Sequence, residues 1–166
     1  MRQVALSVRE LARLDTPGLA LHKDWESVEE MVGTVLRRVR QRDAGQPVKA
    51  RLDPDLPLLR CDAVLMVQLL DNLVNNAIKF SAGGRTAGRV AVRAVLVQQE
   101  RQRVTLEFQV IDNGIGMGEA TLATLFTAFT QADVSTTRRF GGTGLGLAIS
   151  GNLAQRLGGS ISVTSA

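Results

Sequence analysis

Asn72-Leu-Val-Asn-Asn-Ala-Ile-Lys-Phe-Ser81 ends the longest strongly apolar stretch of this chain. On a helix with about 100° per residue, Asn72, Asn76 and Lys79 lie within about 60° of one another. Apolar side chains fill much of the remaining circumference, so residues 62–80 are predicted to form a core helix with one polar stripe. An amide oxygen suits a hard cation such as Mg²⁺, and the Lys79 ammonium suits phosphate. An ordinary solvent-facing stripe is the alternative interpretation.

A second polar segment, Asp112-Asn-Gly-Ile-Gly-Met117, follows a predicted strand. Gly114 and Gly116 carry no Cβ, and they let the backbone turn away after the carboxylate. An ionised carboxylate at that position accepts hydrogen bonds, for example from the exocyclic N6 amine of adenine. Asp-Asn-Gly is also a common turn sequence. By itself, this segment leaves a nucleotide contact and a plain turn as alternatives.

The stretch Phe140-Gly-Gly-Thr-Gly-Leu-Gly-Leu-Ala-Ile-Ser150 runs from a glycine-rich loop into a predicted helix. Glycines permit a close approach of ligand to backbone, and N–H groups at a helix start suit phosphate. Such loops are often purely structural. A P-loop is excluded because the chain contains no Gly-Lys-Ser/Thr. A dinucleotide-binding βαβ unit is excluded because too little chain follows the glycines.

The remaining periodicities predict helices that are segregated from an antiparallel sheet. Residues 28–39 carry apolar side chains at helical spacing after a Ser-x-x-Glu start, and residues 1–15 show a weaker helical spacing. Residues 89–98 and 103–111 alternate between apolar and polar side chains, which predicts an antiparallel hairpin. Residues 160–165 are predicted to form a last strand. The fold class is therefore an α+β sandwich.

Composition narrows the class of protein further. The chain has 166 residues, 45% hydrophobic and 22% charged, which is ordinary for one globular domain. It contains no apolar run of membrane-spanning length and no signal-peptide pattern, so we expect a cytoplasmic chain without membrane contact, although its parent protein can be anchored. Cys61 and His22 are the only residues of their types, which argues against disulfides and a zinc site. The net charge is +4, but the arginines are scattered and aromatics are few, so nucleic acid is not the expected partner.

The order of the three polar segments is more specific than any one of them. An Asn-x-x-x-Asn-x-x-Lys helix, then Asp-x-Gly-x-Gly, then Gly-Thr-Gly-x-Gly before a second helix resembles the GHKL ATP-binding superfamily. More narrowly, the chain is similar to the catalytic, ATP-binding domain of a bacterial sensor histidine kinase. Residues 72–81 match the asparagine box, 112–117 and 142–146 the two glycine boxes, and 125–131 the phenylalanine box.

This resemblance covers nearly the whole chain and implies a fold and a ligand. The implied fold is a two-layer sandwich of the GHKL (Bergerat) type, in which a mixed, mostly antiparallel sheet packs on three helices. The implied cofactors are ATP and Mg²⁺, held between a helix and a mobile lid. Residues 117–141 would form that lid, and Phe126 and Phe129 would dock it when closed.

The resemblance also implies a role for each matched position. Asn76 would bind the Mg²⁺ that bridges the ATP phosphates, with Asn72 and Lys79 assisting as catalytic residues. Phe80 would pack on the adenine, and Asp112 would accept a hydrogen bond from its N6 amine. Further implied nucleotide-binding residues are Gly114, Gly116, Arg138, Arg139, Gly142, Thr143, Gly144, Leu145 and Gly146. Either arginine would reach the γ-phosphate, with a plain lid-surface charge as the alternative.

One position separates a kinase from an ATPase within the superfamily. Hydrolytic members carry a glutamate four residues before the Mg²⁺ asparagine, where this chain has Asn72. Without that general base, attack by water is slow, which leaves the γ-phosphoryl group for transfer to a protein side chain. Asp71 is the nearest substitute base, but at about 100° from Asn72 it lies off the polar stripe.

The phosphoacceptor histidine is expected on another domain. The family's acceptor lies on a long upstream helix and is followed by an acidic residue, whereas His22 is followed by Lys23 and lies outside the first clear helix. Residues 1–16 look like the tail of a dimerisation helix plus a linker. Residues 17–166 are expected to form the catalytic domain, without the family's final strand.

The sequence therefore predicts an enzyme of two-component signal transduction. It would bind ATP with Mg²⁺ and transfer the γ-phosphoryl to a histidine on a separate dimerisation domain, and act indirectly on a response regulator. A domain that binds ATP or a partner protein without catalysis is the alternative. An anti-sigma serine kinase is disfavoured, because its asparagine box normally carries the glutamate.

Overall fold

The computed structural model describes residues 2–11, 21–45, 47–81, 87–120 and 146–165. The helices bounded within them are α1 (Val28–Arg42), α2 (Ala63–Ser81) and α3 (Gly146–Arg156). The strands are β1 (Arg2–Leu11), β2 (Asp24–Glu26), β3 (Val48–Leu52), β4 (Leu59–Cys61), β5 (Val90–Glu100), β6 (Arg103–Asp112) and β7 (Ser160–Ser165). Among the described helices, none combines the length and apolar character needed to cross a membrane.

Five of these strands form one mixed sheet in the order β3-β5-β6-β1-β7. β3 runs parallel to β5, and the other neighbours are antiparallel. β2 and β4 form a separate two-stranded antiparallel sheet. In the β5–β6 hairpin, Arg103 lies opposite Glu100 at the turn, and Asp112 lies opposite Val90 at the other end. The turn and Asp112 are therefore at opposite ends of the large sheet.

The predicted hairpin is confirmed, and its alternation explains which side chains enter the core. Leu106, Phe108 and Val110 of β6 have no exposed side-chain surface, and Val90 and Val92 of β5 are 2% exposed. Successive residues of a strand point to opposite faces, so these positions share the face that the helices cover. The sheet therefore supplies one wall of a single hydrophobic core.

α1 begins where its sequence predicts and continues past the last apolar residue of the pattern, Val39, to Arg42. The Ser27 hydroxyl caps the helix by accepting a hydrogen bond from the Glu30 backbone N–H at 3.3 Å. Glu29 and Glu30 lie in the first turn, and Arg40 and Arg42 lie in the last, which complements the helix dipole. Its buried face consists of Val28, Met31, Val32, Val35 and Val39. That face packs on the core at the spacing found in the sequence.

α2 is the central helix and packs against both α1 and α3. Met66, Leu69 and Val74 are completely buried, as expected of a core helix. The buried Asp62 carboxylate caps its start, with Oδ1 accepting from the Leu65 N–H at 3.2 Å and Oδ2 from the His22 N–H at 3.2 Å. This arrangement of three helices on a mixed, mostly antiparallel sheet is the predicted sandwich.

The helix predicted over residues 1–15 is wrong for residues 2–11, which form β1 inside the large sheet. β1 pairs with β6 on one side and with β7 on the other. Val4, Val8 and Leu11 fit the spacing of a helix, whereas Val4, Leu6 and Val8 alternate with polar or small residues, which fits a strand. In the register, these three residues lie opposite Val110, Phe108 and Leu106. Pairing with distant strands overrode the local helical spacing.

Candidate functional site

The polar stripe of α2 lies on the side of the helix that the core leaves uncovered. Asn72 and Asn76 are half-buried and Lys79 is exposed, whereas Leu73 and Ala77 beside them are at most 1% exposed. The stripe predicted from helical periodicity is therefore confirmed as a surface of α2 that points away from the core. Its two amide groups and one ammonium group are placed to contact a ligand lying along the helix.

Asp112 stands at the end of β6 with only 2% of its surface exposed. Its Oδ1 accepts a hydrogen bond from the Gly114 N–H at 2.9 Å, so the carboxylate shapes the turn that follows it. Buried carboxylates need hydrogen-bond or charge partners, since burial without them is costly. The segment forms a turn and also holds a buried carboxylate that can accept hydrogen bonds. A plain turn and a nucleotide contact are therefore compatible interpretations of Asp-Asn-Gly.

Gly114 brings this turn against the end of α2. A Cβ built on Gly114 would lie 2.5 Å from the Phe80 carbonyl oxygen and 2.9 Å from the Phe80 carbonyl carbon. Both are backbone atoms, so neither can rotate aside. The turn that carries the buried Asp112 therefore lies directly against the end of α2, where the half-buried Phe80 stands.

Gly116 completes the turn in a conformation that glycine favours. Its φ is 73°, in the left-handed region where side chains with a Cβ are strained. Next to it, the Met117 N–H donates to the Ser165 hydroxyl at 2.8 Å, which ties the turn to the end of β7. The sequence contained no signal for that contact, because the two residues are far apart along the chain.

Asn113 is a positioning residue that sequence reasoning missed. Its Oδ1 accepts from the Arg89 N–H at 2.7 Å, and its Nδ2 donates to the Ala87 carbonyl at 2.9 Å. These bonds hold the segment before β5 against the turn that carries Asp112. An asparagine after a strand and before a glycine is a known signal for such side-chain to backbone bonding.

Asp71 forms a bidentate ion pair with Arg42 of α1. The two guanidinium nitrogens lie 3.1 and 2.6 Å from its carboxylate oxygens. The hydrogen bond to Asp71 raises the pKa of Arg42 above its usual value. The negative charge of Asp71 also raises this pKa, whereas burial lowers it. Asp71 therefore joins α1 to α2, in agreement with its predicted position off the polar stripe.

Several predicted site residues lie outside the described residues. They are Arg138, Arg139, Gly142, Thr143, Gly144 and Leu145, together with most of the predicted lid and its Phe126 and Phe129. Gly146 is the first residue of α3, which confirms that the glycine segment leads into a helix. α3 packs on α2 through a face that includes Leu153 and Ala154. The helix that follows the glycines is thus adjacent to the helix with the polar stripe.

Comparison with known proteins agrees with the motifs and the fold described above. The family described as histidine kinase-, DNA gyrase B-, and HSP90-like ATPase matches residues 61–166. Two-component system protein A of Emericella nidulans is 32% identical over 161 residues, which cover 96% of this chain and 23% of that protein. The signal transduction histidine-protein kinase BarA of Escherichia coli is 40% identical over 121 residues, 72% of this chain and 13% of BarA.

Solved structures share the fold. Full-length ShkA in complex with AMPPNP superimposes with a TM-score of 0.70 at 26% identity, over 91% of this chain and 32% of ShkA. The catalytic domain of the histidine kinase ThkA superimposes with a TM-score of 0.62 at 17% identity, over 87% of this chain and 93% of that domain. The ThkA likeness supports the α/β sandwich alone.

The chain spans no more than 23% of the length of the first curated relatives. Those relatives include fungal and Dictyostelium proteins as well as bacterial ones, so the expected restriction to bacteria is not confirmed. The matched range contains α2, the Asp112 turn and α3. This chain belongs to the histidine kinase-, DNA gyrase B-, and HSP90-like ATPase family, and within it to the ATP-binding domains of histidine kinases.

Proposed function

We propose that this domain binds ATP with Mg²⁺ and transfers the γ-phosphoryl group to a histidine on a separate dimerisation domain. The observation that carries the proposal is the buried carboxylate of Asp112, held beside Phe80 at one end of the polar stripe of α2. An acceptor for an adenine amine and a row of phosphate-binding side chains thereby occur on adjoining elements. The relatives named as histidine kinases support the same activity.

The adenine would lie at the Asp112 end of this site. The carboxylate would accept a hydrogen bond from N6, and Phe80 would pack on the base. Asn72 lies about 12 Å from Phe80 along the axis of α2, at about 1.5 Å per residue. That spacing places the Asn72 amide well away from the base, whereas Lys79, the neighbour of Phe80, would reach the phosphates with its long side chain.

The phosphates would lie along Asn72, Asn76 and Lys79. The described residues contain no group of three His, Cys, Asp or Glu side chains that could hold a metal ion. Mg²⁺ is commonly held by one or two protein oxygens together with substrate phosphates and water, and the Asn76 amide oxygen fits that role. When bound, the ion would neutralise charge on the phosphates. Arg138 or Arg139, and the segment Gly142, Thr143, Gly144, Leu145 and Gly146, are proposed to complete the phosphate contacts.

The reaction would be an in-line phosphoryl transfer. A nitrogen of the acceptor imidazole attacks the γ-phosphorus, the bond to the bridging β–γ oxygen breaks, and ADP leaves. Two features disfavour hydrolysis: Asn72 replaces the glutamate that would activate water, and Asp71 is engaged by Arg42. The histidine would come from a separate domain, and a response regulator would receive the phosphoryl group afterwards.

The test combines this chain with γ-labelled ATP, Mg²⁺ and a separate dimerisation domain that carries a phosphoacceptor histidine. The expected product is acid-labile phosphate on that domain, which disappears when its histidine is replaced by glutamine. ATP binding without transfer would favour the alternative, a binding module without catalysis. Failure to bind ATP would contradict both.

Asp112→Asn is expected to weaken ATP binding about 10- to 100-fold, because a charge-assisted hydrogen bond contributes about 1.5–3 kcal/mol. The asparagine can still accept from the Gly114 N–H, so the turn should survive. The measurement is calorimetric titration with ATP and Mg²⁺. Asp55→Asn is the control: Asp55 is exposed and has a φ of 55°, which asparagine also tolerates. Equal ATP affinities of the two variants would show that the Asp112 carboxylate does not contribute to ATP binding.

Asp71→Asn is expected to leave phosphoryl transfer within about twofold of the unchanged chain at saturating ATP. The variant should lose roughly 0.5–1 kcal/mol of unfolding free energy, the range for partly exposed ion pairs. Labelled-phosphate transfer and chemical denaturation measure the two effects, and Arg42→Gln should reproduce both of them. A selective loss of transfer in Asp71→Asn alone would assign a catalytic role to that carboxylate.

A further inference from the structure

A cavity of about 550 Å³ lies between the two-stranded β2–β4 sheet and the turn that joins β5 to β6. Trp25 and Leu58 line it with exposures of 60% and 53%, which are high for large apolar side chains. In the β2–β4 register, Trp25 lies directly opposite Arg60. Exposed aromatic and aliphatic side chains grouped at one concave place are typical of binding surfaces.

The charged residues around this cavity are mostly basic. Arg60, Arg101 and Arg103 line it, and Glu100 is the only carboxylate among the lining residues that the structure describes. The Glu100 carboxylate already accepts a hydrogen bond from the Gln98 side-chain amide. The cavity thus combines an apolar floor with an excess of guanidinium groups, which pair well with carboxylates.

The cavity is remote from the proposed ATP site. β6 begins at Arg103 beside the cavity and ends at Asp112, a distance of about 30 Å at about 3.3 Å per residue. No residue of the polar stripe lines the cavity. A ligand bound there would leave Asp112 and Phe80 accessible, so the two sites can be occupied together.

We propose that this cavity is a docking site for an acidic segment of a partner protein, in which an apolar side chain lies between carboxylates. The apolar side chain would pack on Trp25 and Leu58, and the carboxylates would pair with Arg101 and Arg103. Charge complementarity selects this occupant over a basic one. Nucleic acid fits less well, because the lining within the described part of the chain includes one aromatic ring, which offers no series of stacking positions.

The composition of the chain supplies a direct probe of this cavity. Trp25 is the only tryptophan, and the chain contains no tyrosine, so intrinsic emission reports on the cavity wall alone. The test titrates the full chain with the peptide acetyl-Asp-Glu-Leu-Leu-Asp-Glu-amide. Saturable binding should shift the emission to shorter wavelength and reduce quenching by acrylamide. An AMPPNP complex of the chain should bind the peptide with an affinity within twofold.

The variant Arg101→Glu/Arg103→Glu should weaken peptide binding at least tenfold, and Leu58→Ser should also weaken it. Arg38→Glu/Arg40→Glu is the matched control, since it changes net charge equally on exposed residues of α1. Thermal unfolding of each variant verifies folding. The proposal is overturned if the acidic peptide leaves the Trp25 emission unchanged, or if the two charge reversals weaken peptide binding equally. It is also overturned if acetyl-Lys-Lys-Leu-Leu-Lys-Lys-amide binds as tightly as the acidic peptide. Tighter binding of a single-stranded oligonucleotide would also overturn it.

Discussion

Gly114→Ala is expected to reduce ATP affinity by roughly 100-fold, equivalent to about 2.8 kcal/mol. The added methyl group would lie 2.5 Å from the Phe80 carbonyl oxygen, so the turn and the end of α2 must move apart. That movement separates Phe80 from Asp112, the two side chains proposed to hold the adenine. The strain should also lower the free energy of unfolding by about 1–3 kcal/mol. Calorimetric titration and chemical denaturation measure the two effects.

Two other glycines provide matched controls for this substitution. A Cβ at Gly118 or at Gly33 would meet no atom of the described residues within 4 Å. Gly118→Ala should therefore bind ATP much more tightly than Gly114→Ala does, although both glycines lie in the segment that follows β6. Gly33→Ala, inside α1, should raise the free energy of unfolding by about 1 kcal/mol, because alanine favours a helix. Equal affinities of the Gly114 and Gly118 variants would refute the close approach between the turn and α2.

Ala5→Pro is expected to lower the free energy of unfolding by about 3 kcal/mol or more, since it removes a ladder hydrogen bond and distorts an interior strand. Ala5 lies opposite Gln109 of β6 and Ser162 of β7. Strands β6 and β7 both pair with β1, so damage to β1 separates β7 from the rest of the sheet. Chemical denaturation measures the loss, and hydrogen exchange should show protected amides over residues 2–7.

Ala5→Ser is the control, because serine keeps the backbone N–H that proline lacks. It should retain most of the stability and the same pattern of amide protection. If Ala5→Pro were as stable as Ala5→Ser, β1 would not contribute to the sheet.

Periodicity in the sequence was sufficient for α1, α2, α3 and the β5–β6 hairpin. In α1, α2 and the hairpin, the spacing of apolar residues equals the repeat of the element and marks the face that is buried. The same periodicity placed Asn72 and Asn76 on one side of α2, away from Leu73 and Ala77. Local sequence patterns therefore predicted the helix that carries the proposed phosphate contacts, and the order of the motifs predicted the family.

Contacts between segments that are distant in the chain could be identified only from the structure. Val4, Val8 and Leu11 fit a helix, Val4, Leu6 and Val8 fit a strand, and the pairing of β1 with β6 and β7 decides for the strand. The bonds of Asn113 to the segment before β5 likewise join residues far apart in the chain.

The sequence by itself determined the core helices, the hairpin and the type of each candidate ligand-binding group, because these depend on residue spacing and side-chain chemistry. Only the tertiary structure decided that β1 lies inside the sheet, that Asp71 pairs with Arg42, and that Gly114 meets Phe80. Each of these is a contact between parts of the chain whose proximity follows from packing. A local pattern contains no information on that proximity, since many distant partners satisfy the same spacing.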